Sequence, residues 1–363
     1  MDELEALVIL SSISSLGSIK IRLLIQHFGS AVEALKAKPS ELSLIPGFGP
    51  KIMQSWELGI KHDQACRANF DFAERLGVEI VAFTDSKYPK RLLDIADHPI
   101  LLYVKGELIK QDQRCLAIVG TRAASIYGKE MAYRLGRELA QAGFTIVSGL
   151  ARGIDTAAHQ GALELGRTIG VLGSGIGCLY PEENRALADA MCDNGAVISE
   201  FSMNTPPDRT HFPQRNRIVS GMTLGTVLIE APERSGAMLT VEKAIAQGRP
   251  AFALPGRADQ EFFKGNHLLI KSKRADLIDC AEDVINYFDE LTLPLVFNRP
   301  EKPKVALEKE EEELLHRLPT IELSMEEIGR QTGLPIIRLN VLLMSLVLKK
   351  VVKQYPGKIY KKV

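Results

Sequence analysis

The chain has 363 residues with 45 basic and 45 acidic side chains, and 45% of it is hydrophobic. That composition excludes a largely disordered chain and leaves no global charge to steer a polyanion, so any nucleic-acid role must rest on local patches. Five cysteines without a CxxC pair read as core thiols rather than a zinc site, so neither metal nor cofactor is expected. Acids ahead of the first apolar run make a poor secretory signal. No apolar run reaches the ~18 residues of a membrane span, so a cytoplasmic protein without a membrane partner is expected.

Residues 1–65 carry helical apolar spacing in LEALVIL, IRLLIQHFG and AVEALKA. Ile45-Pro46-Gly47-Phe48-Gly49-Pro50-Lys51 then has the form of a helix-hairpin-helix turn. Its glycines would let backbone N–H groups meet a phosphate, and Lys51 adds charge; a plain helical bundle with Pro-Gly turns is the alternative. Residues 66–290 form the core. It opens with a helix near 66–76, the strand VEIVAF and an apolar ILLYV run expected at the sheet edge. From 115 onward, buried apolar runs alternate with amphipathic stretches, which predicts a parallel sheet covered on both faces. Residues 291–306 hold three prolines among polar residues and read as a linker. Residues 307–363 read as helix, helix-turn-helix and wing, a winged helix; its acidic first helix speaks for a protein-interaction role over a DNA role.

Residues 115–155 organise the core: strand, small-residue loop, helix, strand, loop. Both loops fall at strand C-termini, where helix N-termini offer free N–H groups to anions. Arg122 and Arg152 stand one in each loop, and guanidiniums at such a rim suit phosphate. The segment 206–217 follows the strand AVISEF and is expected at the same rim. Arg209, Arg215 and Arg217 supply charge there, and Phe212 a stacking face for a base. Arg215 and Arg217 could instead pair internally with Glu200 and Glu230. These two carboxylates are expected at the ends of adjacent strands, where they would hold loop arginines or, less simply, a nuclease metal. His159 lacks a metal-ligand partner at helical spacing and reads as a satisfied or exposed histidine. GxGxxG, GxxxxGK[ST] and GxSxG are all missing, so no catalytic constellation is evident.

Taken together, YPKRLLDIADHPILLYVKG, AIVGTRAASIYG, SGLARGIDTAAHQGAL, YPEENRAL, HFPQRNRIVSG, VLIEAPERSGAMLT, QGRPAFALPG and GNHLLI resemble the DNA-processing protein A family, also called Smf. The resemblance spans about residues 85–280. It implies an extended Rossmann-like, doubly wound core that dimerises and binds single-stranded DNA. The flanking domains are similar to the family's N-terminal helical (helix-hairpin-helix or SAM-like) and C-terminal winged-helix domains. It implies a non-catalytic mediator that protects incoming single-stranded DNA and loads the RecA recombinase in natural transformation. Matching positions place the DNA role on Gly120, Thr121, Arg122, Ser125, Arg209, Phe212, Arg215, Asn216 and Arg217, with Ser235 and Gly236 adding anion contacts. A nucleotide-acting enzyme of phosphoribohydrolase type is the rival reading, but the chain lacks a PGGxGT loop. The chain departs from the family pattern at Gly177, where an aspartate is common. It departs again at Arg274, where a glycine is common, and at Phe263-Lys264, where a serine is usual.

Overall fold

The computed structural model describes residues 1–13, 15–59, 63–291, 307–318, 323–349, 351–355 and 357–362. It forms two compact units, Met1–Leu295 and Val296–Val363. The expected linker lies outside the described residues apart from Leu291.

The first unit opens with helices α1 (Glu3–Ser12), α2 (Ser18–Phe28), α3 (Ala31–Leu35), α4 (Pro39–Leu42), α5 (Pro50–Gly59) and α6 (Asp63–Arg75). Leu7, Leu10, Ile21, Leu24, Leu42 and Trp56 are sealed in their common core. Gly47 turns the chain into α5 with φ +87°, a conformation that side-chain-bearing residues rarely adopt. The same core reaches Ile100 and Leu101, so the helices pack on one edge of the sheet.

Strands β1 (Val78–Ala82), β2 (Leu101–Gly106) and β3 (Cys115–Val119) precede α7 (Ile126–Gln141), β4 (Thr145–Ser148), α8 (Ile154–Leu165) and β5 (Thr168–Val171). Then come α9 (Arg185–Asp193), β6 (Gly195–Ser199), α10 (His211–Gly221), β7 (Thr226–Leu228), α11 (Gly236–Ala246), β8 (Ala251–Ala253), α12 (Lys264–Lys271), β9 (Asp276–Leu277) and α13 (Ala281–Leu291). The sheet order is β1-β2-β6-β5-β4-β3-β7-β8-β9. Every residue of β3, β4, β5 and β6 is buried, as two-sided helix cover requires. From β3 the chain winds one way through β4, β5 and β6, then returns to add β7 on the other side. That switch opens a crevice beyond the strand C-termini.

From β3 to β9 the sheet is parallel as expected. Two other expectations need correction. β2 lies between β1 and β6 and runs antiparallel to both. The ILLYV run is therefore one strand in from the edge, with VEIVA outside it. Residues 83–100 join β1 to β2 with a short 3-10 turn and no crossover helix, and such a connection returns antiparallel. Glu200 and Glu230 follow β6 and β7, which are not neighbours, because β5, β4 and β3 lie between them. At Gly177 a Cβ would stand 2.5 Å from the Phe72 ring and 2.8 Å from the Met203 carbonyl oxygen, so an aspartate has no room there.

The second unit comprises α14 (Lys309–Arg317), β10 (Leu323–Ser324), α15 (Met325–Thr332), α16 (Ile336–Leu348), β11 (Val352–Tyr355) and β12 (Ile359–Lys362), with sheet order β10-β12-β11. Ser324 and Glu327 form a capping box on α15, and Gly333 ends it with φ +70°. Leu314, Ile328, Leu339, Leu343 and Leu346 make the core, and this is a winged helix. Among the described residues no single helix is long and apolar enough to cross a membrane.

Candidate nucleic-acid interface

A cleft of about 480 Å³ opens beyond the C-termini of the central strands. Gly120, Thr121 and Arg122 line it from the loop after β3; Arg209, Phe212, Arg215 and Asn216 from α10 and the segment before it; Ser235 and Gly236 from the start of α11. Ser125 and Arg217, expected with them, are not in its lining.

The two loops of the βαβ unit interlock. The Thr121 amide donates to the Glu230 carbonyl at 2.7 Å, and the Thr121 carbonyl accepts from the Ile154 amide at 3.3 Å. Gly153 has φ +79°, and a Cβ there would meet the Thr121 and Arg122 carbonyl oxygens at 2.5 and 2.6 Å. Ser125 caps α7, its hydroxyl accepting from the Gly128 amide at 3.0 Å. Its own amide donates to Glu230 Oε2 at 2.9 Å. Ser125 and Glu230 therefore hold the first loop in shape.

Arg215 is the keystone of the cleft floor. It is 4% exposed, and Nη1 donates to the Gly149 carbonyl at 2.6 Å and to the Val171 carbonyl, joining the ends of β4 and β5. Gly149 has no room for a side chain, because a Cβ would lie 2.4 Å from the guanidinium. Asp155, also buried, accepts from the Gly149 and Ala151 amides at 3.0 and 3.3 Å. Burial pushes the Asp155 carboxyl pKa up, against the opposing pull of Arg215. Burial likewise lowers Arg215 to about 10, with Asp155 opposing. The pair is a compensated charge beneath the cleft. By spacing alone Asp155 makes no acid/base pair with Glu164; its place at the start of a helix, after a glycine-rich loop, is the sequence signal for this structural role.

Arg122 is different. It is exposed, its guanidinium lies 4.9 Å from the Phe212 ring centroid, and among the described residues no carboxylate pairs with it. Phe212 packs over Gly173, where a Cβ would fall 2.7 Å from the ring, and faces Tyr180 at 6.0 Å between centroids. Arg209 is exposed and also lacks a carboxylate partner among the described residues. Ser235 caps α11 through the Met238 amide at 3.3 Å, and the amides of Gly236 and Ala237 have no acceptor among the described residues. Two free cations, an aromatic face and open helix-end amides thus converge. Together they can hold phosphates and stack a base.

The other two arginines expected at the rim, Arg152 and Arg217, are committed elsewhere. Arg152 grips Glu183 through two bonds of 2.7 Å. Arg217 donates to Glu200 and lies 3.3 Å from Asp97. Glu230 is buried under the start of α7, so neither strand-end glutamate lines the cleft. His159 is fully buried; the Thr168 hydroxyl donates to the Ile146 carbonyl, so His159 Nδ1–H donates to Thr168 Oγ1 at 2.6 Å.

The family model of the DNA recombination-mediator protein A matches residues 79–289, and that of the DprA winged helix domain matches 298–358. DNA processing protein DprA of Bacillus subtilis is 39% identical over 217 residues, covering 59% of this chain and 72% of the relative. Protein Smf of Synechocystis is 29% identical over 386 residues and 97% of both chains. The structure of DprA from Streptococcus pneumoniae aligns with TM-score 0.68 and 31% identity, over 79% of this chain and 98% of that one. DNA processing protein A from Helicobacter pylori, described for its single-stranded DNA binding mode, aligns with TM-score 0.53 and 29% identity, over 58% and 96%.

Proposed function

Because this chain belongs to the DNA recombination-mediator protein A family, we propose that its cleft binds single-stranded DNA without cleaving it. The observation that carries the reading is Arg122: an exposed guanidinium with no carboxylate partner among the described residues, held over Phe212 at the mouth of a cleft with open helix-end amides. Phosphates would bind Arg122, Arg209 and the open amides of Gly236 and Ala237, while a base stacks on Phe212. Asn216 would orient the 235–236 segment, since its Nδ2 donates to the Gly236 carbonyl at 3.3 Å. Arg215, Arg217 and Ser125 would act by shaping the site. A single strand fits better than a duplex because stacking on Phe212 needs an unpaired base.

The finer role follows the family resemblance: a cytoplasmic homodimer that shields incoming strands and passes them to RecA. The test is fluorescence anisotropy with a labelled oligothymidylate. Arg122→Ala should weaken binding by about 1–3 kcal/mol, the worth of a charged contact. Wild-type affinity in a folded Arg122→Ala protein would reject the cleft as the binding site. RecA filament growth on protein-coated strands, with and without the same substitution, tests the transfer step.

A further inference from the structure

A second cavity, of about 710 Å³, opens on the same unit and shares no lining residue with the cleft. The cleft is lined along α10 as far as Val219; this cavity takes Met222, the residue after its last turn.

The charge around this cavity is unbalanced. Of its carboxylates, Asp112 is saturated: Arg167 donates to Oδ1 at 3.1 Å and to Oδ2 at 3.2 Å, and Thr145 Oγ1 and the Ile109 amide fill the rest. Asp94 accepts from Arg249 Nη2 at 2.8 Å. Lys87 is held by Glu79 at 2.6 Å. Lys90, Arg91 and Lys110 remain, each without a carboxylate partner among the described residues. Arg91 is half-buried, and its Nε is buried with no hydrogen-bond acceptor. Burial and the neighbouring Arg249 act against its charge, with Asp94 opposing them. An unsatisfied guanidinium beside a second cation is a costly arrangement that an anion would complete. Next to this rim, half-buried Pro89, Leu108 and Ile109 form an apolar wall.

We infer that this cavity is a second nucleotide-binding site: a phosphate lies on Arg91 between Lys90 and Lys110, and the sugar and base lie on the apolar wall. The inference stands apart from the reading of the cleft. The nucleoside phosphate is either free or a unit of a DNA strand, and the experiment separates the two sources. The full chain is titrated with a fluorescent ATP analogue and with labelled oligothymidylates of about six and about 30 nucleotides, since one compact site covers roughly 4–16. A free-nucleotide site predicts that the analogue binds wild type and Arg122→Ala alike, and at least about tenfold more weakly in Arg91→Met and Lys110→Glu. A strand site predicts that Lys110→Glu weakens the long oligonucleotide at least about threefold and spares the short one. Lys110 is exposed, so its variant keeps the test valid should Arg91→Met fail to fold. Equal binding of all probes by wild type and Lys110→Glu overturns the inference. Loss of the analogue in Arg122→Ala but not in Lys110→Glu overturns it too, by placing the nucleotide in the cleft.

Discussion

At the scale of single residues, the two central arginines divide their labour by exposure. Arg215 spends its donors on strand-end carbonyls, while Arg122 has no carboxylate partner among the described residues and lies over the Phe212 ring. Gly149 is where this division is most fragile. Gly149→Ala would drive a methyl into the Arg215 guanidinium, and such overpacking costs about 1–3 kcal/mol. Chemical denaturation should register that loss, and single-strand affinity should fall with it as the cleft floor shifts. His159 sets a pH limit. Burial lowers its pKa from 6.5 to about 3, so below pH 6.5 the unfolded chain takes a proton that the folded chain refuses. Stability from this residue is intact above pH 6.5 and drains as pH falls toward 3. Between pH 7 and pH 5 it amounts to about 2 kcal/mol at ~1.4 kcal/mol per pH unit. Asp155 and Glu200, with pKa values raised by burial, act in the opposite sense, so the comparison is with His159→Gln: the wild type should lose about that much more than the variant over this range.

At the scale of elements, helix starts are used in two ways. Ser125 and Glu230 close the start of α7 and hold its loop in shape, whereas α11 leaves two amides open at the cleft. In the winged helix, one buried carboxylate ties α14 to α16. Glu311 accepts from Lys349 Nζ at 2.6 Å and from the Ser345 hydroxyl at 2.5 Å, and these bonds hold its pKa down at about 2. Glu311→Ala removes both bonds, and the second unit should lose about 1–3 kcal/mol, seen as a lower-temperature melting transition in calorimetry of the full chain.

At the scale of the molecule, equal numbers of acids and bases make recognition a local matter. Along the rim, Arg152 is neutralised by Glu183 and Arg217 by Glu200. Two free arginines imply a shallow salt dependence. With a slope near −0.7 per neutralised phosphate on a single strand, log affinity against log salt should run near −1.4 for the cleft alone. Arg122→Ala should flatten it by about 0.7. A much steeper wild-type slope would mean that further cations, such as those of the second cavity, share the strand.

The local order of strands, loops and helices was legible in the sequence, because buried parallel strands write continuous apolar runs and their loops write small residues and glycine. So were the cleft-lining residues Arg122, Phe212 and Arg215, since their segments follow strands that must end at one rim. The direction of β2 was not legible, because an apolar run carries no sign of which way its neighbour runs; the short connection at 83–100 decided it. Nor was the fate of each arginine. Periodicity puts Arg215 and Arg217 on one helix, but only packing against Gly149 and Glu200 turns the first into a floor and the second into an internal pair. Residue type and spacing bring a charge to a rim; whether it stays free depends on partners far away in the chain, and those meet only once the sheet has formed.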